Sequence, residues 1–157
     1  MKSLFWFLWT WWVKRMIRRP EAQWIVTKLA ENARVLIVDD HPVMRHGLRA
    51  VIEQDDEMTV AAEAASGRAA LRAFETTRPN VVLLDIEIRD DDILSTIQAL
   101  RRVDAHVVLL LMATFPRDAR VAAAKSSGVT ACFLKTSTDD EIRAQIRSLL
   151  QRHTAAR

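Results

Sequence analysis

The sequence predicts an α/β fold in which five parallel strands form one sheet and helices cover both of its faces. From residue 34 onward, five apolar segments alternate with five segments of helical periodicity, and parallel strands need such helical crossovers. Most of the strand segments are continuously apolar, which is typical of strands buried on both faces. Of the 157 residues, 50% are hydrophobic and only three are glycine, which excludes disordered and collagen-like classes.

The predicted strands are short apolar runs, and three of them are followed directly by charged residues. The five strands are Val35–Val38, Thr59–Ala64, Val81–Leu84, Val107–Met112 and Ala131–Leu134. Asp39 and Asp40 follow the first strand, Asp85 the third and Lys135 the fifth. Ligands of open parallel sheets bind beyond the carboxyl ends of the strands. These four side chains therefore form the candidate site.

The predicted helices are marked by apolar spacing and by residues that begin or end helices. Pro42 suits the first turn of the first helix, and Ser66 suits the N-cap of the second. Gly128 ends the fourth helix, and Thr138 with Glu141 forms a capping box before the last. The helical positions are Met44, Leu48, Val51 and Ile52; Ala70, Leu71 and Phe74; Ile93, Ile97 and Leu100; the alanine-rich segment Arg117–Ser127; and Ile142, Ile146, Leu149 and Leu150.

Residues 1–33 differ from the rest of the chain, and we expect them to form a separate, Trp-rich basic helical leader. They carry a net charge of +4, whereas residues 34–157 carry −1 and give no net basic signal for nucleic acid. Residues 4–13 read LFWFLWTWWV, and four cations follow between residues 14 and 19. A transmembrane helix needs about 20 apolar residues, so this run is too short to span. Residues 4–19 fit a helix that lies in the membrane interface.

Two alternatives for the leader stay open. It packs onto the body or onto a second copy of the chain as a dimer contact, or translation starts at the internal Met16. The single cysteine, Cys132, excludes an internal disulfide framework and favours a reducing compartment.

The charged residues at the sheet edge suit phosphoryl transfer. Neighbouring carboxylates repel one another, and an all-oxygen ligand set suits Mg²⁺, which also holds phosphate oxygens. One carboxylate can then attack phosphorus to form an acyl phosphate, while a lysine offers its charge to the phosphoryl oxygens. Asp85 stands alone at its strand end and is the better nucleophile, whereas Asp39 and Asp40 are the better metal ligands.

Residues 34–152 resemble the receiver domain of two-component response regulators. The stretch VLIVDDHPVMRHGLRAVIE is similar to the subclass that usually precedes a LuxR-type DNA-binding domain. The resemblance implies a flavodoxin-like fold with strand order 2-1-3-4-5, and leaves residues 153–157 as a tail. It implies that Asp85 is the phospho-acceptor and that Lys135 contacts the phosphoryl group. It also implies that Mg²⁺ is bound by Asp39, Asp40, Asp85 and the backbone carbonyl of Glu87.

The resemblance further implies the partners and the location. A sensor histidine kinase or a phosphotransfer protein would donate the phosphoryl group to a cytoplasmic acceptor, which would lie at the inner membrane face if the leader binds lipid. The chain would be an acceptor with autodephosphorylation rather than an enzyme, and a homodimer is a further expectation. Only 22 residues follow Lys135, and the last helix uses them, so we expect no DNA binding by this chain itself.

Three positions depart from the family pattern. The loop after the acceptor reads IEIRDDDIL and lacks the usual Met-Pro pair and glycine. Ala113 stands where the family has a Ser or Thr, with the Thr114 hydroxyl one residue later, and Cys132 stands where the family has an aromatic switch residue. We therefore expect intact phosphoryl chemistry and a weak conformational readout.

Two other functions compete with a phosphoryl acceptor. One is a degenerate receiver that binds partners or dimerises without obligatory phosphorylation. The other is a phosphatase that passes through an aspartyl phosphate, which is disfavoured because such enzymes usually place a second Asp where this chain has Glu87.

Overall fold

The computed structural model describes residues 32–89, 92–115 and 117–155, along which strands and helices alternate. In chain order the elements are β1 (Ala33–Val38), α1 (Pro42–Ile52), β2 (Met58–Ala64), α2 (Gly67–Thr77), β3 (Val81–Asp85), α3 (Ile93–Val103), β4 (Val108–Ala113), α4 (Ala119–Ser126), β5 (Ala131–Leu134) and α5 (Asp139–Ala155). All five strands pair in parallel, in the order β2-β1-β3-β4-β5. The predicted fold class and strand order are confirmed.

The sheet separates two apolar layers, because successive side chains of a strand point to opposite faces. Leu36 and Val38 of β1 pack in the layer that contains α2, α3 and α4. Val35 and Ile37 of the same strand pack in the other layer, against α1 and α5. The residues of β3 and β4 are all buried, as the continuous apolar runs predicted. The two layers hold the carboxyl ends of the strands in fixed positions.

The predicted helix-start and helix-end residues take the expected positions. Pro42 is the first residue of α1, and the Ser66 hydroxyl caps α2 by accepting a hydrogen bond from the amide of Ala69. The capping box at the start of α5 is formed: Thr138 N donates to Glu141 Oε2, and Glu141 N donates to Thr138 Oγ1. Because the α1 and α5 starts adjoin β1 and β5, these caps also fix the loops that carry the candidate site.

Several element boundaries differ from the predicted ones by one to three residues. β1 begins at Ala33, which is buried and donates its amide to Glu57 O, so the predicted boundary between residues 33 and 34 falls within this strand. α4 begins at Ala119, because Asp118 acts as its N-cap rather than as a helical residue. β4 extends to Ala113, and α5 continues through the predicted tail as far as Ala155.

The N-terminal leader lies almost wholly outside the described residues, which begin at Asn32. The predicted interfacial helix, the dimer contact and the alternative start at Met16 therefore stay predictions. Among the residues that the structure does describe, no helix is both long enough and apolar enough to cross a membrane.

Candidate functional site

Three carboxylates converge at the carboxyl edge of the sheet, beyond β1 and β3. Asp39, Asp40, His41 and Asp85 each place one side-chain oxygen or nitrogen within 4.8 Å of the others. Asp39 and Asp85 are completely buried, and the side chain of Asp40 is 12% exposed. Fully buried aspartates are rare unless they are paired or hold a metal. The strands thus bring together the acids that the sequence analysis grouped.

Lys135 lies across this cluster from the end of β5. Its Nζ is 2.9 Å from Asp85 Oδ2 and 3.9 Å from Asp39 Oδ2. Its backbone amide donates to the carbonyl of Ala113, which ties the start of the loop after β5 to the end of β4. Burial lowers the pKa of Lys135, but the hydrogen bond and charge of Asp85 outweigh it, so the pKa lies above its ordinary value. The ammonium group stays protonated.

Burial raises the pKa of Asp85 above the ordinary value for an aspartate, and the nearby charge of Asp39 adds to the effect. The hydrogen bonds from Lys135 and from the Glu87 amide act in the opposite direction but do not outweigh burial. The Asp85 carboxylate and the Lys135 amine therefore both hold protons more firmly than usual. Burial of a carboxylate beside a second buried carboxylate is unfavourable, and such a site favours an additional cation.

The start of α1 fixes the pair of acids that follows β1. Asp39 Oδ1 accepts a hydrogen bond from the backbone amide of His41, which aligns it just before the helix. The Arg45 guanidinium donates to the backbone carbonyl of Asp39 at 2.7 Å. Asp40 does not cap α1, since the N-cap is His41. Asp39 is thus held beside Asp85 by contacts with His41 and with the first turn of α1.

The residues at this edge fit a divalent cation. Among the described residues no donor hydrogen-bonds the buried oxygen Asp39 Oδ2, so this oxygen lacks the partner that buried polar atoms almost always have. The neighbouring atoms that could ligate a metal are carboxylate oxygens, which Mg²⁺ prefers. His41 Nδ1 lies 2.8 Å from Asp40 Oδ1 and 3.1 Å from Asp39 Oδ1. It therefore contacts the two acids, in agreement with a structural role for this nitrogen.

Glu87 enters the site through its carboxylate, which the sequence analysis did not anticipate. Its Oε2 lies 3.3 Å from Lys135 Nζ and accepts a hydrogen bond from Thr114 Oγ1 at 3.2 Å. Its backbone amide donates to Asp85 Oδ1 at 3.1 Å. The predicted role of its backbone carbonyl as a metal ligand stays a prediction. An acid two residues past a strand end lies at the same edge, but its place in the sequence does not show which way its side chain points.

Thr114 and Ala113 take different positions at the end of β4. Ala113 is the last residue of the strand, pairs with Leu134 and packs in the α2–α3–α4 layer. The strand is therefore not shifted by one residue to bring Thr114 into the same position. The Thr114 hydroxyl instead reaches the site indirectly, through Glu87.

Cys132 packs against the same apolar layer as Ala113 and is half-buried. Burial raises the pKa of its thiol, so it stays uncharged at neutral pH. Neither Ala113 nor Cys132 places a hydroxyl or an aromatic ring in this layer. The two positions to which the resemblance assigns the switch are thus occupied by small side chains.

Arg89 is a second cation at the site that sequence reasoning missed. Its Nε lies 2.8 Å from Asp40 Oδ2, and this hydrogen bond holds the pKa of Asp40 below its ordinary value. Of the three consecutive acids that follow Arg89, Asp92 is the N-cap of α3, and Asp90 and Asp91 lie outside the described residues.

Comparisons with known proteins agree with this geometry. The response regulator receiver domain family matches residues 35–147. The nitrate/nitrite response regulator protein NarP of Escherichia coli is 35% identical over 116 residues, which cover 73% of this chain and 53% of NarP. A nitrate/nitrite response regulator protein homolog of Haemophilus influenzae is 30% identical over 125 residues, covering 78% of this chain and 59% of the relative.

Among solved structures, a two-component response regulator of the LuxR family from Aurantimonas sp. SI85-9A1 superposes with a TM-score of 0.72 at 28% identity. The match covers 77% of this chain and 86% of that one. The chain thus spans little more than half the length of the two curated relatives but most of this solved chain.

Proposed function

Because this chain belongs to the response regulator receiver domain family of two-component systems, we propose that Asp85 accepts a phosphoryl group in a Mg²⁺-dependent reaction. One observation carries the proposal. The Lys135 ammonium lies 2.9 Å from a carboxylate oxygen of Asp85, and this aspartate is completely buried beside two further acids. A lone aspartate at a strand end would need neither the lysine nor the other carboxylates.

Mg²⁺, when bound by Asp39, Asp40 and Asp85, supplies positive charge and orients the phosphoryl oxygens. The Glu87 backbone carbonyl is a fourth ligand that the family resemblance predicts. The remaining contributions come from the chain itself. Lys135 holds Asp85 Oδ2 from one side and the Glu87 amide holds Oδ1 from the other, so the carboxylate has a fixed orientation toward the edge of the sheet.

In the proposed transfer, an oxygen of Asp85 forms a bond to phosphorus while the bond from phosphorus to the donor's imidazole nitrogen breaks. The electron pair of that bond stays on the nitrogen, which takes up a proton. Lys135 is placed to stabilise the charge on the phosphoryl oxygens, since its Nζ already contacts the acceptor oxygen. Attack of water on phosphorus then releases phosphate and restores the Asp85 carboxylate.

The partners follow from this chemistry as proposals. The phosphoryl donor is a sensor histidine kinase or a phosphotransfer protein, and the acceptor acts stoichiometrically rather than as an enzyme with turnover. Thr114 is a minor candidate for contact with the phosphoryl group, because its hydroxyl reaches Glu87 rather than Asp85. We place the receiver domain in the cytoplasm, with residues 4–19 as a contact for the inner membrane face.

A protein-interaction module without phosphorylation is the less favoured function. Such a module would gain nothing from burying Asp39 and Asp85 at the same sheet edge, since buried carboxylates destabilise a fold unless they are compensated. A homodimer stays a proposal compatible with either function.

Incubation with acetyl phosphate and Mg²⁺, followed by intact-mass measurement, tests the proposal. We expect the wild-type chain to gain the mass of one phosphoryl group. Asp85→Asn should gain none, because an amide oxygen is a poor nucleophile. Asp92→Asn is the matched control: Asp92 caps α3 and is not one of the carboxylates grouped with Asp85, so the change should leave labelling unchanged. Labelling of Asp85→Asn at the wild-type level would remove Asp85 from the acceptor role.

A further inference from the structure

Among the described residues, Lys135 and Arg89 form ion pairs with carboxylates of the acidic cluster, and these two cations differ sharply in burial. Lys135 lies inside the cluster with a side chain only 14% exposed, and it contacts Asp39, Asp85 and Glu87. Arg89 lies at the rim with a side chain 74% exposed, and it contacts Asp40. A buried lysine has no water available to replace its partners, whereas an exposed guanidinium exchanges a carboxylate for water at little cost. Of the two cations, Arg89 is the more exposed and the easier to displace from its carboxylate.

The contact of Arg89 uses the carboxylate of Asp40, which a metal ion at this edge would also use. Arg89 Nε lies 2.8 Å from Asp40 Oδ2, and Asp40 is one of the carboxylates grouped with Asp39 and Asp85. A guanidinium and a divalent cation on the same carboxylate repel each other at short range, where screening by salt is weak. The Arg89 contact and full metal coordination by Asp40 therefore compete.

We propose that Arg89 is a positioning residue that occupies Asp40 in the metal-free protein and competes with Mg²⁺ for it. The proposal rests on the proposed function, because it takes Asp40 as a Mg²⁺ ligand. Arg89 prearranges the Asp40 carboxylate at the sheet edge and is displaced toward solvent when the ion binds. The affinity for Mg²⁺ is consequently lower than the three carboxylates alone would give, and phosphorylation needs a higher Mg²⁺ concentration.

The test is a Mg²⁺ titration of the full-length chain, followed through the backbone amide resonances of residues 38–41 and 85–88. We expect Arg89→Ala to bind Mg²⁺ about threefold to tenfold more tightly than wild type, because no guanidinium has to leave Asp40. Arg89→Lys should restore most of the wild-type affinity. The charge control is Arg120→Ala. Arg120 also lies beside the site, with Nη1 3.4 Å from Ile86 O, but its guanidinium pairs with Asp118, so the affinity should stay within about twofold.

A second measurement follows Arg89 directly. In wild type, the side-chain Nε–Hε resonance of Arg89 should move in proportion to Mg²⁺ occupancy, and the Nε–Hε resonance of Arg120 should move much less. Two results would overturn the competition at Asp40 and leave the proposed function standing. One is an equal Mg²⁺ affinity in wild type and Arg89→Ala. The other is an equal increase in Mg²⁺ affinity in Arg89→Ala and Arg120→Ala. Absence of Mg²⁺ binding in every variant would overturn the competition together with the proposed metal dependence.

Discussion

Two regions at the same edge of the sheet differ in chemistry. The first region is formed by the ends of β1 and β3, and the second by the ends of β4 and β5. The first region holds Asp39 and Asp85, both completely buried, with Lys135 reaching across to them. The second region packs Ala113 and Cys132 into the α2–α3–α4 layer. The first region buries charged groups where apolar residues would cost less free energy. The second region buries small side chains that make only packing contacts.

From this difference we infer that receiving a phosphoryl group and transmitting its presence are separable in this chain. Burying a carboxylate is unfavourable unless a cation or hydrogen bonds compensate for it, so the acids of the first region indicate function. At the second region, Ala113 and Cys132 supply no hydroxyl or ring that could take two alternative positions. A phosphoryl group with no differential contacts there shifts no equilibrium between two packings.

The largest effect that would sharpen this comparison is the loss of Lys135. We expect Lys135→Ala to slow labelling by acetyl phosphate by about a hundredfold, as is typical when one charged donor to a transition state is removed. The rate is measured by intact mass against time. Lys125→Ala is the matched control, since Lys125 is an exposed lysine of α4 and should label at the wild-type rate. A labelling rate of Lys135→Ala close to that of wild type would mean that Lys135 does not assist phosphoryl transfer to Asp85.

A smaller effect concerns the cost of burying Asp85. Its pKa is raised in the folded protein, chiefly by burial, so the folded state binds a proton more tightly than the unfolded state. Stability therefore falls as the pH rises from the ordinary aspartate pKa through the raised one. Without Mg²⁺, Asp85→Asn should be more stable than wild type by about 1 kcal/mol at pH 7, and the gain should vanish below the ordinary aspartate range.

Urea denaturation at a series of pH values measures this difference. The exposed Asp56 provides the control, because Asp56→Asn should leave the free energy of unfolding unchanged at every pH. A gain for Asp85→Asn that does not depend on pH would mean that burial of the charged carboxylate is not its source.

The smallest expected effect comes from removing residues 1–15. All ten described elements lie between Ala33 and Ala155, so the truncated chain should keep cooperative thermal unfolding and Mg²⁺-dependent labelling. The full-length chain is the reference in both measurements. Loss of cooperative unfolding would place the leader in the core and would make the comparison of the two regions incomplete.

Much of the fold and of the candidate site could be predicted from the sequence, because the carboxyl ends of the strands in a parallel sheet share an edge. Asp39, Asp85 and Lys135 each follow a short apolar run, and that alone was enough to place them together. The exact end of β4 could not be fixed in the same way. A continuous apolar run such as residues 107–113 has no alternation, so the pattern predicts a strand but not its last residue.

The side chains of the loop after β3 could not be predicted at all. The contacts of Glu87 with Lys135 and of Arg89 with Asp40 depend on the path of a loop that lacks the usual Pro and Gly. Its residues carry no periodicity from which a direction could be inferred. The sequence therefore indicated which strands supply the acids. The charged side chains that contact these acids could be identified only from the structure.

The most direct test of separable reception and transmission is a comparison of ¹H–¹⁵N spectra of the Mg²⁺-bound chain with and without beryllium trifluoride, a phosphoryl mimic. The account predicts large shifts at residues 39–41 and 85–88 and small ones along α4 (Ala119–Ser126). In an Ala113→Thr, Cys132→Tyr variant that unfolds as cooperatively as wild type, the α4 shifts should grow. Wild-type α4 shifts as large as those beside Asp85 would contradict the account, because they would show that the small side chains at Ala113 and Cys132 do not interrupt transmission.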